Sequence, residues 1–205
     1  MPARSDLTDD VVDWRISAAR AVLLIHDMQN FFVNFFPEGE SPRTHLLDNV
    51  VRLRERCAGL GIPVYYTAQP GRMSEEQRGL LKDVWGPGMT SGPDDVAIVA
   101  ELSPGENDRV LTKWRYSAFH RSPLLDELTE HGRDQLIICG VYAHVGCLAT
   151  AADAYANNIQ PFLVSDAIAD FTLDYHRLAI DYASRLCAAT PDTESLLADL
   201  SPAAC

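Results

Sequence analysis

The sequence predicts an α/β fold: a parallel sheet with helices covering both faces. Three observations predict it. Strand-length runs such as AVLLI and LIICG are apolar throughout, without the polar alternation of a sheet that faces water. Segments with helical spacing of apolar residues separate those runs. The chain has 205 residues and is 47% hydrophobic, which suits one domain over residues 1–205 with a sizeable core.

Taken in order, residues 21–27 (AVLLIHD) read as a buried strand. Residues 43–61 carry Leu46, Leu47, Val50, Val51, Leu53 and Leu60 at helical spacing and stop at a glycine. Residues 62–69 and 109–113 read as strands. Residues 122–132 read as a helix, with Ser122 as N-cap, Pro123 in the first turn and Gly132 past the end. Residues 134–140 form a strand, followed by a helix of small residues to about 157. A strand and loop over 160–170, a helix over 173–189 and a last helix in TESLLADL complete the chain. The stretch from Pro70 to Asp108 is too long for a plain connection. Its segment 71–95 carries four glycines and two prolines after Gly71, and the stretch predicts a lid or wall over a site.

The formal net charge of −12 repels phosphate backbones, so no nucleic-acid partner is expected. The first ten residues lack an apolar core and no run spans a bilayer, so neither a secretory signal nor a membrane partner is expected. The five cysteines, Cys57, Cys139, Cys147, Cys187 and Cys205, are scattered and make no CxxC pair. That spacing points to a reducing, cytoplasmic setting without disulfides or zinc, and Cys205 reads as exposed and incidental. His120 and His144 have no partner at metal-ligand spacing, and the glycines match no phosphate-binding motif.

In open parallel sheets, ligands bind beyond the carboxyl ends of the strands. The polar residues there include Asp27, Gln69, Lys113 and Tyr142. Asp27 directly follows an apolar run. Desolvation raises a carboxyl pKa and suits a general acid or base, while the alternatives are a helix cap or a salt bridge. Lys113 is either functional or the structural ion-pair partner of Asp27. His26 should face away from Asp27 in a regular strand. Trp114, Arg115, Tyr116 and Phe119 read as packing or interface residues. Arg78 is either a solvated charge or is brought inward by the wall around Trp85. In GVYAHVGC, Cys147 opens a helix, where a thiol pKa falls and a nucleophile is favoured; cysteine is also among the most buried residue types.

The blocks HDMQNFF (26–32), TAQPG (67–71), LLKDVWGPGM (80–89), KWRYSAFHRSPL (113–124), GVYAHVGC (140–147) and IQPFLVSDAIADF (159–171) resemble the isochorismatase family over about residues 15–190. The resemblance implies a Rossmann-like three-layer α/β/α sandwich with a six-stranded parallel sheet, a homodimer, and a cis peptide at Val141–Tyr142. Cysteine hydrolases of the wider superfamily place their nucleophile at the end of a GxxTxxC-like segment. Matched to that segment, GVYAHVG puts Gly146, not Cys147, at the nucleophile position. The resemblance assigns catalysis to Asp27 and Lys113, and substrate binding to Gln69, Arg78, Tyr142, Gly146, Phe32 and Trp85. Gly146 then leaves room and a backbone N–H for an anionic group.

The implied reaction is hydrolysis of the enolpyruvyl (vinyl) ether of 2-amino-2-deoxyisochorismate or isochorismate, with Asp27 as general acid and with no cofactor or metal. The block around Trp85 is closer to the phenazine type and the block after Lys113 to the siderophore type, and the reading places the amino substrate first. The rival expectations are a nicotinamidase-like amidohydrolase using Cys147 and a non-catalytic binding protein of the same fold.

Overall fold

The computed structural model describes residues 1–2, 9–90 and 92–200; Cys205 lies outside them. Five parallel strands form the sheet: β1 (Ala21–His26), β2 (Val64–Ala68), β3 (Arg109–Thr112), β4 (Gln135–Val141) and β5 (Gln160–Ala169). Their order is β3-β2-β1-β4-β5. The chain winds outward from β1 to β3 and then returns to place β4 on the other side of β1. The crevice between β1 and β4 is therefore the topological switch point, where such sheets bind ligands.

The α-helices among the described residues are α1 (Asn30–Val33), α2 (Arg43–Gly59), α3 (Glu75–Arg78), α4 (Leu81–Trp85), α5 (Pro93–Val96), α6 (Leu124–Glu130), α7 (Leu148–Ala156), α8 (Leu173–Leu186) and α9 (Thr193–Asp199), and a π-helical turn (Ala143–Cys147) leads into α7. Each strand side chain alternates between two cores. Leu23, Ile25, Ile137 and Phe162 pack with Leu46, Val50 and Leu53 of α2 and Leu196 of α9. Val22, Leu24, Leu136, Ile138 and Leu163 pack with Leu124 of α6, Ala151 of α7 and Ile180 of α8. This two-sided burial explains why the strands read as unbroken apolar runs. Cys57 extends the buried stripe of α2, and Cys139, Cys147 and Cys187 are likewise buried free thiols.

Several boundaries move. Helix α6 starts two residues later than expected, and Ser122 Oγ accepts a hydrogen bond from the Leu124 N–H at 3.2 Å. Helix α8 ends at Leu186 rather than 189. The expected sixth strand is absent from the described residues. Residues 188–191 run beside β5 in its place, with Leu163 N–H donating to Ala189 O at 2.9 Å and Ser165 N–H to Pro191 O at 2.8 Å. Only one bridge forms, Phe162 with Ala189. Pro191 has no N–H to continue the ladder, and Asp192 already caps α9 by accepting from Ser195 N–H.

The 70–108 stretch folds as the wall the sequence predicts, carrying α3, α4 and α5. A capping box starts α3: Ser74 Oγ accepts from Gln77 N–H at 3.2 Å, and Gln77 Oε1 accepts from Ser74 N–H at 2.9 Å. No helix among the described residues is long and apolar enough to cross a membrane.

Candidate active site

Sheet register brings the site together. His26 pairs with Thr67 of β2 and with Gly140 of β4. Lys113 N–H donates to Ala68 O at 2.9 Å, so the lysine lies one residue beyond β3 on the same edge. Asp27, Lys113, Gln69 and Tyr142 all line one cavity of about 630 Å³, as do Arg78, Gly146, Phe32 and Trp85. A volume of that size suits a small ring-bearing ligand.

Asp27 forms the floor and is buried. Its φ of +50° breaks the strand at this residue, a conformation that aspartate tolerates better than most. Thr67 Oγ1 donates to Asp27 Oδ1 at 2.6 Å and accepts from the Asp27 N–H at 3.0 Å. Lys113 Nζ donates to Oδ2 at 2.9 Å, and Gln69 Nε2 lies 3.3 Å from the same oxygen. Burial pushes the carboxyl pKa up, as the sequence suggested. The Lys113 ammonium, His26 and the Thr67 hydroxyl pull it down and prevail, so Asp27 lies below the usual carboxylate range.

His26 corrects the sequence reading. It does not turn away from Asp27: the left-handed backbone at Asp27 ends the strand alternation, and His26 Nδ1 lies 3.8 Å from Asp27 Oδ2. The ring also donates to Val141 O from Nδ1 at 2.8 Å. Burial and then Lys113 lower its pKa to about 4, so the imidazole is neutral at pH 7 and its contact with Asp27 is dipolar.

Gly146 also differs from expectation. It does not leave open room. A Cβ there would sit 2.1 Å from His26 Cε1 and 2.8 Å from Nε2. At Gly140, φ is +112° and a Cβ would fall 2.2 Å from His26 O. Two glycines thus admit His26, one for its ring and one for its backbone. Cys147 takes no part in the cavity lining. It is fully buried, and burial raises its thiol well above the usual range, away from a reactive thiolate.

The wall brings Arg78 inward and buries it. Its Nε donates to Gly86 O at 2.9 Å, and Nη1 lies 3.4 Å from Gln69 Oε1. Gln29 is a connector that sequence reading missed. Its amide accepts from Gln69 N–H at 2.8 Å and donates to Gln69 O at 2.9 Å and Val96 O at 2.7 Å, joining both strand ends to α5. Tyr142 follows a cis peptide at Val141, and its hydroxyl donates to Phe32 O at 2.9 Å. Its ring lies 4.0 Å from that of Phe171. Trp85 stacks on Phe171 at 5.9 Å and donates to Tyr116 Oη at 2.8 Å. Arg115 and Tyr116, read from sequence as packing or interface residues, line the cavity. Phe171 was not singled out, although it ends a block that carried the resemblance. Among the described residues no group of three or more His, Cys, Asp or Glu side chains is placed to hold a metal ion.

Known proteins resemble this chain along most of its length. An isochorismatase of Bacillus subtilis is 53% identical over 203 residues, 99% of this chain, which spans 65% of the length of that relative. Phenazine biosynthesis protein PhzD1 of Pseudomonas aeruginosa is 53% identical, covering 96% of this chain and 94% of its own. Enterobactin synthase component B of Escherichia coli is 48% identical, covering 99% and 71%. A solved cysteine hydrolase from Pseudomonas syringae shares the fold, with a TM-score of 0.82 over 95% of this chain and 98% of its own at 20% identity. The isochorismatase domain model matches residues 21–195. With its strand-end aspartate and lysine, its buried thiol and this match across most of its length, the chain belongs to the isochorismatase family.

Proposed function

We propose that this chain hydrolyses the enolpyruvyl ether of a chorismate-derived ring acid, 2-amino-2-deoxyisochorismate or isochorismate, and releases pyruvate. The observation that carries the reading is the Asp27–Lys113 pair on the cavity floor, with no nucleophile at residue 146. The names of the relatives point the same way. Asp95 also lines the cavity, a carboxylate that supports reading an ammonium-bearing ring as the first substrate.

Asp27 delivers a proton to the terminal vinyl carbon, and an oxocarbenium ion forms. Water adds to that ion, and the hemiketal collapses to pyruvate and the ring alcohol. The acid must be protonated, yet Lys113 and Thr67 hold it ionised. A substrate carboxylate resolves this conflict. By taking the hydrogen bond of Lys113, it removes the main counter-charge of Asp27 and sets a second anion beside it. Both effects raise the pKa of Asp27. Arg78 and Arg115 supply further positive charge for the two substrate carboxylates. Gln69 and Tyr142 orient the ring, and Phe32, Phe171 and Trp85 enclose it.

The cysteine-hydrolase alternative requires a reactive thiol at the cavity, and Cys147 is buried away from it with a raised pKa. The test is pyruvate release from both substrates in a coupled lactate dehydrogenase assay, with Asp27→Asn as control. Release from either, lost in the variant, supports the reading. No release from either overturns it. The ratio of the two kcat/KM values identifies the preferred substrate.

We also infer a homodimer. Tyr175, Leu178, Tyr182 and Leu186 are exposed along one side of α8, an apolar stripe of the kind that two copies cover together. Light scattering of the wild type and of Leu178→Glu tests this: a dimer that the variant splits supports it, and a monomeric wild type refutes it.

A further inference from the structure

His26 is the buried group that the reaction above does not use. Its ring fills the volume that a side chain at 146 would need, since a Cβ there would lie 2.1 Å from His26 Cε1. An apolar side chain of similar volume would fill the same niche. The imidazole does so less comfortably: beside its bond to Val141 the ring has a polar contact with the Tyr116 backbone, but no hydrogen bond of good geometry reaches Nε2 among the described residues. What the ring adds is at its other nitrogen. Nδ1–H donates to Val141 O at 2.8 Å while lying 3.8 Å from Asp27 Oδ2. That carbonyl directly precedes Tyr142, whose ring and hydroxyl form the aromatic side of the cavity, and it leads into the turn that carries Gly146.

We propose that His26 is a positioning residue for ether hydrolysis, interlocked with Gly146. Its ring closes the niche from which a residue-146 side chain would reach substrate. Its Nδ1–H holds the Val141 carbonyl, and so Tyr142, in register with Asp27. The absence of a nucleophile at 146 is then one half of a paired arrangement whose other half lies on β1. A larger residue at 146 requires a smaller one at 26. The activity readout rests on the reaction proposed above, and the stability readout does not.

Four variants test this: His26→Asn, His26→Leu, Gly146→Ala and the double variant His26→Asn/Gly146→Ala. Asparagine can place its amide N–H where Nδ1–H lies and is smaller. Leucine keeps the bulk and loses the donor. Displacing reacting groups by about 1 Å costs roughly a hundredfold in rate, so His26→Leu should lower kcat by about ten- to a hundredfold with a smaller change in KM. His26→Asn should retain kcat within about threefold, because the donor is kept. Gly146→Ala should lower both kcat and Tm when His26 is present, and each much less in the His26→Asn background, where the contacts at 2.1 and 2.8 Å are gone and only the one near 3.1 Å remains. A double-mutant cycle reads that coupling directly.

Equal costs of Gly146→Ala in both backgrounds, in Tm and in kcat, would overturn the interlock. Full activity in His26→Leu would overturn the positioning role. If His26→Leu does not fold, loss of kcat in a folded His26→Asn overturns that role instead. If the wild type releases no pyruvate, the proposed reaction fails, while coupling in Tm still decides whether His26 and Gly146 are interlocked.

Discussion

The floor and the wall of the cavity are built in different ways. The floor takes His26, Asp27 and Lys113 from strand ends or the residue beyond, and Gly146 from the turn after β4. All four are buried, and three bonds converge on the Asp27 carboxylate. The wall takes α3, α4 and α5, each only four or five residues long. Such helices do not persist alone. They are held by the Ser74 capping box, the Gln29 amide and the Trp85–Tyr116 bond, while Leu80 is 80% exposed and Val84 66% exposed. The sheet thus fixes the groups of the proposed reaction, and short local segments shape the rest of the cavity. Damage to the floor should therefore appear in kcat and stability, and damage to the wall in KM.

The largest test of that division is Asp27→Asn. Losing a general acid should lower kcat about 10²- to 10⁴-fold with binding retained, measured by pyruvate release and by titration with unreacted substrate. Near wild-type turnover would remove the distinction at its root.

Next comes pH. The pKa of His26 falls from the ordinary 6.5 to about 4 in the folded protein. Protons therefore bind the unfolded chain more readily between those values. The stability His26 contributes is full above pH 6.5 and is lost as pH falls toward 4. Between pH 7 and 5 the loss should be about 2 kcal/mol. His176, also lowered by burial, adds the same sign, so His26→Asn should reduce the slope without abolishing it. Denaturant unfolding at the two pH values checks this, and an unchanged slope in the variant would place the acid sensitivity elsewhere.

Wall variants should act on binding. Arg78→Ala removes a buried cation from the cavity wall, one that the proposed reaction sets against a substrate carboxylate. A charge-assisted hydrogen bond contributes about 1.5–3 kcal/mol, so KM should rise roughly ten- to a hundredfold with a lesser effect on kcat. Trp85→Ala removes the stack on Phe171 and the bond to Tyr116. At about 0.5–1.5 kcal/mol for an aromatic pair, it should raise KM severalfold. If Trp85→Ala lowered kcat more than it raised KM, the wall would belong with the reacting groups.

Most of the fold was legible in the sequence, because a sheet buried on both faces leaves unbroken apolar runs and each covering helix leaves a stripe such as Leu46, Val50 and Leu53. The edge at residues 188–191 was less legible. Its pairing depends on which N–H groups remain free, and Pro191 and the Asp192 cap settle that locally. Within the site, Asp27, Gln69, Lys113 and Tyr142 could be read from their positions at strand ends, where the sheet must present them to one crevice. The binding roles of Arg78 and Gly146 were named through the family blocks. Gln29 and Phe171 were not singled out, since a buried amide and a cavity aromatic look like ordinary core residues until their partners are known.

By itself, then, the sequence determined the parallel sheet, the two-sided core, the wall and the strand-end placement of Asp27 and Lys113, because each follows from periodicity or from position along one chain. The tertiary structure decided the rest. Whether Asp27 is ionised depends on Lys113 and Thr67, residues brought beside it from β3 and β2. Whether Gly146 offers space depends on the ring of His26, far earlier in the chain. Charge and volume are set by neighbours in space, and those neighbours exist only once the strands have paired.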